Sequence, residues 1–275
     1  MHRRLTALAA AAALGVVPGV VLAAPASAAP ADQVWLGFDD GAVGQPLATV
    51  TNGGTLAAET RQSVVTLNGG SLTVGGSVAG QGTSADFPAF SASSTGRRAI
   101  IKVTNSGSTD RLAPGTARFE FGADVMIDAT NASAAGGSTD NGNNVIQRGL
   151  YNDAAQFKIQ VDARRPSCRI KGSSGAVEVT SRTSLTPDTQ WYRLTCLRTV
   201  GSPNDTVTLT VTPIAADGAP GITVSDARSG PVGRAAYAIG VPLSVGGKLK
   251  SSGAVNTSAS DQFNGRIDNA VLRIG

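Results

Sequence analysis

The chain has 275 residues, with 23 Lys and Arg against 19 Asp and Glu, two cysteines, one histidine, seven Phe, three Tyr and two Trp. Arg3 and Arg4 supply two of the basic charges, and beyond residue 28 the balance is 21 to 19. A net charge of +2 offers a polyanion such as nucleic acid no general attraction. The sole histidine, His2, also lies in that first segment, so the rest of the chain can hold no Ser-His-Asp triad, Cys-His pair, histidine-ligated zinc or two-histidine iron.

Arg3-Arg4, the apolar run 5–24 and Ala26-Ser27-Ala28 read as the basic region, apolar region and cleavage site of a secretory signal peptide, with cleavage after Ala28. The apolar run is long enough to cross a bilayer, but Pro18, Pro25 and the small-residue site argue against an anchor. Residues 1–28 are therefore expected to be a leader, and residues 29–275 a single secreted, extracellular domain with no membrane span after cleavage. Within it, apolar residues recur with period two, the signature of half-buried strands. Strands are predicted at 34–38, 64–67, 71–74, 99–104, 119–127, 157–161, 177–181, 206–212, 222–225, 243–245 and 265–274. Gly, Ser, Asn and Pro clusters between them supply turns, and no linker, charge run or repeat divides the chain. Cys168 and Cys196 both fall in alternating segments, 166–171 and 191–197. In a secreted chain an even cysteine count reads as a disulfide, with two buried thiols as the alternative.

The end of the chain is the most specific part. Pro242-Leu243-Ser244-Val245-Gly246-Gly247-Lys248, followed by Asp261-Gln262-Phe263-Asn264-Gly265-Arg266-Ile267-Asp268-Asn269-Ala270-Val271-Leu272-Arg273-Ile274-Gly275, resembles the closing strands of the laminin G and concanavalin A-like lectin/glucanase superfamily. Residues 35–41 look like that superfamily's opening strand and 119–127 like an early central strand. Residues 144–149 with 157–161 look like the next hairpin, and 190–194 with 206–211 like the tryptophan strand and its partner. The resemblance implies an all-β, two-sheet antiparallel jelly-roll sandwich, and the Ala, Gly and Arg bias is similar to that of actinobacterial-type secreted members. Such sandwiches host lectins, carbohydrate-binding modules, adhesins, hydrolases and lyases, so the resemblance bears on fold rather than on activity.

Hydrolases of the superfamily carry closely spaced carboxylates on one strand. The comparable residues here, Glu120, Asp124 and Asp128, are four apart, which separates their backbones by roughly 13 Å at about 3.4 Å per residue. That exceeds the spacing of about 5 to 9.5 Å used in glycoside hydrolysis. A cross-strand carboxylate such as Asp162 could complete an unusual hydrolase, and Tyr151 with Arg148 an unusual lyase, but the residue set points away from catalysis. For sugar binding, the best aromatic is Tyr151 in a turn, with Gln147, Arg148, Asn152, Lys158 and Gln160 as polar neighbours from one hairpin. Trp35 and Trp191 are expected in the core. The resemblance also implies a structural calcium, for which Asp39, Asp40 and Asp268 are candidates if the termini pair, with 140–144 as a rival turn. The leading expectation is a secreted binding module for polysaccharide or cell-wall glycan. A structural or protein-binding extracellular domain is the alternative, favoured by the scarcity of aromatics and the threonine face at 206–212, and a hydrolase or lyase comes third.

Overall fold

Alternating Val, Ile, Phe and Leu against Thr, Ser and charged residues cannot bury one face except as a pleated strand packed on a second layer. The computed structural model describes residues 32–47, 49–78, 82–131 and 142–275. The expected leader, and Asp140 and Asn141 of the rival calcium turn, lie outside the described residues. Fifteen strands form among them: β1 (Asp32–Leu36), β2 (Thr60–Leu67), β3 (Thr73–Gly76), β4 (Thr83–Asp86), β5 (Arg98–Asn105), β6 (Phe119–Ile127), β7 (Asn143–Arg148), β8 (Gln156–Asp162), β9 (Arg165–Gly172), β10 (Gly175–Thr180), β11 (Trp191–Thr199), β12 (Asp205–Ile214), β13 (Val224–Gly230), β14 (Leu243–Val245) and β15 (Gly265–Ile274).

They make two antiparallel sheets. The eight-stranded sheet runs β13-β12-β11-β6-β15-β4-β3, with β1 also pairing β15, and the seven-stranded sheet runs β10-β9-β8-β7-β14-β5-β2. The ten-residue β15 serves two partners on one side, β4 near its start and β1 near its end. The inner faces meet in one apolar core, where Phe119 and Phe121 of one sheet pack on Phe157 of the other with ring centroids 5.5 and 4.7 Å apart. The threonine face of β12 lies outside, with Val207, Leu209 and Val211 inside. Thr206 meets Ser229 across to β13 at 2.9 Å. That outermost strand carries Ser, Asp and Arg, the polar dressing an open edge needs.

Cys168 on β9 and Cys196 on β11 form the expected disulfide, and it joins the two sheets through the core. Their Cα atoms are 6.1 Å apart, nearer than the ~10 Å at which stacked sheets usually lie.

After β14 the chain does not cross directly to β15. It turns at Gly246 and Gly247 and folds back over the outer face of the seven-stranded sheet, where Leu249 and Val255 cover Ile100. The two glycines are required by space as well as by conformation. A Cβ on Gly246 would sit 1.8 Å from the Phe87 ring, and one on Gly247 would sit 2.6 Å from Ile100. Gln262, fully buried, clamps the returning strand by donating to the carbonyls of Ala99, Gly246 and Phe263 and accepting from the Ala99 amide.

Trp191 is buried, in a small cluster with Val78 and Ile214 apart from the main core, but Trp35 is not. Val34 and Leu36 point inward, so alternation turns Trp35 to the outer face, where it is 38% exposed. Replacing both cysteines by alanine is predicted to lower stability by about 2–4 kcal/mol, on a model in which the bridge mainly restricts the unfolded chain. Thermal melts of wild type and the double variant should differ by roughly 5–15 °C, and a midpoint unchanged in the variant would show that the bridge contributes nothing.

Candidate functional site

The hairpin β7–β8 and its neighbour β9 present alternate residues to the two sides of the seven-stranded sheet. Phe157, Ile159, Val161, Cys168 and Ile170 face the core, so Gln156, Lys158, Gln160 and Asp162 of β8, with Ser167 and Arg169 of β9, face outward. A bulge between Asn144 and Ile146 shifts the phase of β7, placing both Asn144 and Gln147 on this outer face, opposite Gln160 and Lys158 respectively. The returning loop supplies the remaining wall through Lys248 and Asp261, whose ion pair is 2.5 Å long.

These groups form a continuous polar network. Asn144 donates to Gln147 at 2.6 Å, and Gln147 and Gln156 both donate to the Gly149 carbonyl. Arg169 donates to Gln156 at 2.5 Å, and its guanidinium lies 4.4 Å from the centre of the Tyr151 ring. Lys171 holds the same turn through the Tyr151 carbonyl at 3.1 Å. Tyr151 is thus 66% exposed yet braced from beneath by a cation. A second row runs from the Lys158 ammonium to Gln160, and from Gln160 to Asp162 at 2.5 Å.

Two oxygens in the network are buried without a hydrogen-bond partner, Asn144 Oδ1 and Asp261 Oδ1. They lie on adjoining segments, since the Asn144 amide donates to the Asp261 carbonyl at 3.0 Å. A buried oxygen left unpaired costs about 1–3 kcal/mol, and both are closed to solvent. Burial lowers the pKa of Lys158, against the pull of Asp261, Asp162 and Glu178. Burial also raises that of Asp162, against the pull of Lys158.

Of the six residues expected at the binding site, Gln147, Lys158, Gln160 and Tyr151 therefore share one face, and Asn152 is exposed in the same turn. Arg148 does not belong with them. It follows Gln147 on a strand, so it points inward, fully buried, with its ion pair to Asp110 at 2.8 Å and its guanidinium 4.3 Å from the Tyr237 ring centre. The sequence did not single out Asn144, Gln156, Asp261, Lys248 and Arg169. Arg169 was nonetheless legible, because it adjoins a cysteine that faces the core.

The catalytic alternatives lose their geometry. Asp162 is on the outer face of the seven-stranded sheet and Glu120, Asp124 and Asp128 are on or beside β6 in the other sheet, so no groove is shared. Tyr151 and Arg148 lie on different sides of their sheet. Nor are the β6 carboxylates simply solvated: Glu120 pairs with Arg273, and buried Asp124 accepts from Nε and Nη2 of Arg193, each at 2.7 Å. Asp128 is raised to about 6 by burial and by neighbouring Asp86 and Asp188.

Among the described residues, no group of three or more His, Cys, Asp or Glu is placed to hold a metal, so Asp39, Asp40 and Asp268 do not form the calcium trio. Asp39 accepts from the Thr83 amide at 2.9 Å, Asp40 is exposed, and Asp268 accepts from Ser77 at 2.5 Å and the Asn269 amide at 2.7 Å. Burial raises Asp268 to about 7 despite these bonds, with Asp124 and Asp39 adding to the rise.

No protein-family model matches the chain, and no curated protein matches it. Among solved structures it is similar to the LG1-3 region of the laminin alpha2 chain, at 16% identity over 60% of this chain and 29% of that one, with a TM-score of 0.41. It is also similar to the enzymatically active domain of tailspike protein 2 of bacteriophage CBA120, at 10% identity over 78% of this chain and 29% of that one, with a TM-score of 0.43. A third similar structure is the carbohydrate-binding module CBM66 of Bacillus subtilis, at 12% identity over 78% of this chain and 96% of that one, with a TM-score of 0.31. The chain thus spans less than a third of the first laminin and tailspike structures it matches. The two-sheet sandwich stands on the chain's own strand pairing.

Two measurements check these placements. Arg148→Met removes a fully buried cation from its ion pair with half-buried Asp110, which keeps Asn105 and the Leu112 amide as donors, and is predicted to destabilise the fold by about 3 kcal/mol. Tyr151→Ala, on the surface, should cost less than about 1 kcal/mol. Equal costs in chemical denaturation would contradict the inward placement of Arg148. For Asp268, the folded carboxyl keeps a proton that the unfolded chain loses near its ordinary pKa of 3.8. Its stabilising contribution is therefore complete below about pH 4 and declines as the pH rises to about 7. Asp268→Asn should flatten that decline and gain on wild type by on the order of 4 kcal/mol between pH 4 and pH 8, leaving the smaller dependences due to Asp128, Asp86 and Asp162. Parallel stability curves for the two proteins across that range would refute the assignment.

Proposed function

We propose that this chain is a secreted, non-catalytic glycan-binding module, delivered by the leader at 1–28, whose ligand is a polysaccharide or cell-wall glycan held on the outer face of the seven-stranded sheet. The observation that carries this reading is an exposed aromatic, Tyr151, braced by Arg169 beside a row of partly exposed polar side chains, Lys158, Gln160 and Asp162. A sugar presents an apolar C–H face and a rim of hydroxyls. The first stacks on a ring such as Tyr151, and the second can donate to Gln160 and Asp162 and accept from Gln or Lys. Lys158 and Lys248 are balanced by Asp162 and Asp261, so the face favours neutral, hydroxyl-rich ligands over strongly charged ones.

The disulfide fits an oxidising destination. Among the described residues, no helix is long and apolar enough to cross a membrane.

The test is retention of the chain from residue 29 onward on insoluble cellulose, chitin, xylan and purified bacterial cell wall. Retention on at least one polymer, reduced tenfold or more by Tyr151→Ala and by Gln160→Ala while the fold is unchanged by circular dichroism, is the expected outcome. Failure to bind any of the four polymers would overturn the proposal, as would binding indifferent to both substitutions.

A further inference from the structure

The other sheet carries an aromatic group of its own, around Trp35. The indole is held in one orientation by several independent contacts. Its ring nitrogen donates to Asn269 Oδ1 at 3.1 Å, its backbone amide donates to Asn52 Oδ1 at 2.9 Å, and its carbonyl accepts from the Gly53 amide at 2.9 Å. The ring rests against Gly37 and Gly53, where a Cβ would fall 2.9 and 2.6 Å from ring carbons, so only glycine at these two places leaves the indole where it is. Its partner Asn269 has a φ of 48° in the bulge of β15 between Asp268 and Val271, and its amide also donates to Asp124 at 3.1 Å. A bulge, two glycines and a hydrogen-bonded asparagine thus serve to fix a tryptophan that faces solvent.

One hollow adjoins the ring and a second lies beside its partner Asn269. The first, of about 170 Å³, lies between Trp35, Asp39, Asp40 and Thr51. The other, of about 190 Å³, lies between Asp124, Arg193, Asn269 and Arg273. Charges in the second are matched pair by pair, Arg193 to Asp124 and Arg273 to Glu120. Asp39 and Asp40 place carboxylates in the first, which disfavours an anion such as a nucleic-acid backbone. What remains is an apolar ring surface rimmed by acceptors and a few donors, with two carboxylates and no cation in the lining of the first hollow, which suits hydroxyl donors.

We infer that Trp35, with Asp39, Asp40, Arg193 and Asn269 around it, is a second binding site for a neutral sugar ring, on the sheet opposite Tyr151. The indole takes the C–H face of the ring, the carboxylates accept from its hydroxyls, and Arg193 donates to a hydroxyl or ring oxygen. The site has no residue in common with the first, so either can exist without the other.

Trp191 is buried, so surface quenching of indole emission reports on Trp35. The experiment titrates the Tyr151→Ala protein with hexasaccharides of β-1,4-linked glucose, β-1,4-linked xylose, β-1,4-linked N-acetylglucosamine and α-1,4-linked glucose, following emission and its protection from acrylamide. At least one hexasaccharide should change the emission saturably, and calorimetry should show that affinity falling tenfold or more in Trp35→Ala. Gly53→Ala, which pushes the ring aside without removing it, should weaken the same response while circular dichroism stays unchanged. Absence of a saturable response to all four probes would overturn the inference. So would an affinity that survives Trp35→Ala, or a response present in wild type and lost in Tyr151→Ala, which would place the sugar on the first face alone.

Discussion

The bond between Cys168 and Cys196 sets the sense of both sheets. Each sulfur must point into the core to reach the other, and on a strand that decides where every neighbour points. On β9, Arg169 is forced outward, beneath Tyr151. On β11, Thr195 and Arg193 are forced outward, beside Asp124. A slip of one residue in either strand would break the bridge and at the same time draw an arginine into the core. The covalent link and the polar chemistry of both outer faces therefore enforce one register.

What the disulfide does for the middle of the sandwich, the return of the chain after β14 does for one of its faces. Gly246 and Gly247 let the backbone pass where no side chain fits, and Gln262 ties the returning segment to β5. The loop then covers Ile100 and brings Lys248 and Asp261 against Asn144. Without that cover the outer face would be an ordinary wet sheet surface. With it, charges and amides are partly withdrawn from water, which lowers the pKa of Lys158, raises that of Asp162 and leaves two oxygens without partners. Each hydrogen bond made there by a ligand replaces less water than one made on an open surface, and gains accordingly.

Most strands were legible because alternation is a local property. The limits expected for 119–127, 243–245 and 265–274 coincide with those of β6, β14 and β15. The short β4, Thr-Ser-Ala-Asp, carries no apolar pattern and could not be read. The site was legible only in part, for a related reason. Gln147 and Arg148 are consecutive, so one strand cannot offer both to a ligand, and deciding between them required the phase of β7. That phase depends on the bulge between Asn144 and Ile146, which is a property of the pairing with β8 and not of the β7 sequence. The inward arginine then finds Asp110 and Tyr237, from segments 38 residues before it and 89 after it, which no local pattern connects. Trp35 is the converse case. Val34 and Leu36 already indicate which way it points, and the rule that tryptophans in strands are core residues overrode the plainer evidence of alternation.

The scarcity of aromatic residues, which at first weighs against sugar binding, turns into an argument for it once their positions are known. Seven Phe, three Tyr and two Trp serve the whole chain, and most are spent on the core, Phe119, Phe121 and Phe157 foremost. Trp35 and Tyr151 are the aromatics that stand exposed among the described residues, and they lie on opposite sheets. Neither is a loose side chain at a loop tip. Tyr151 rests on a guanidinium that is itself bonded to Gln156, and Trp35 is fixed through its indole nitrogen and two glycines. A ring held in place before its ligand arrives gives up little conformational freedom on binding, which is how a small contact area yields useful affinity. Two such rings facing away from one another cannot grip a single sugar from both sides. They suit a module that meets two chains of a polymer, or two polymers, at once, with the second contact strengthened by the first.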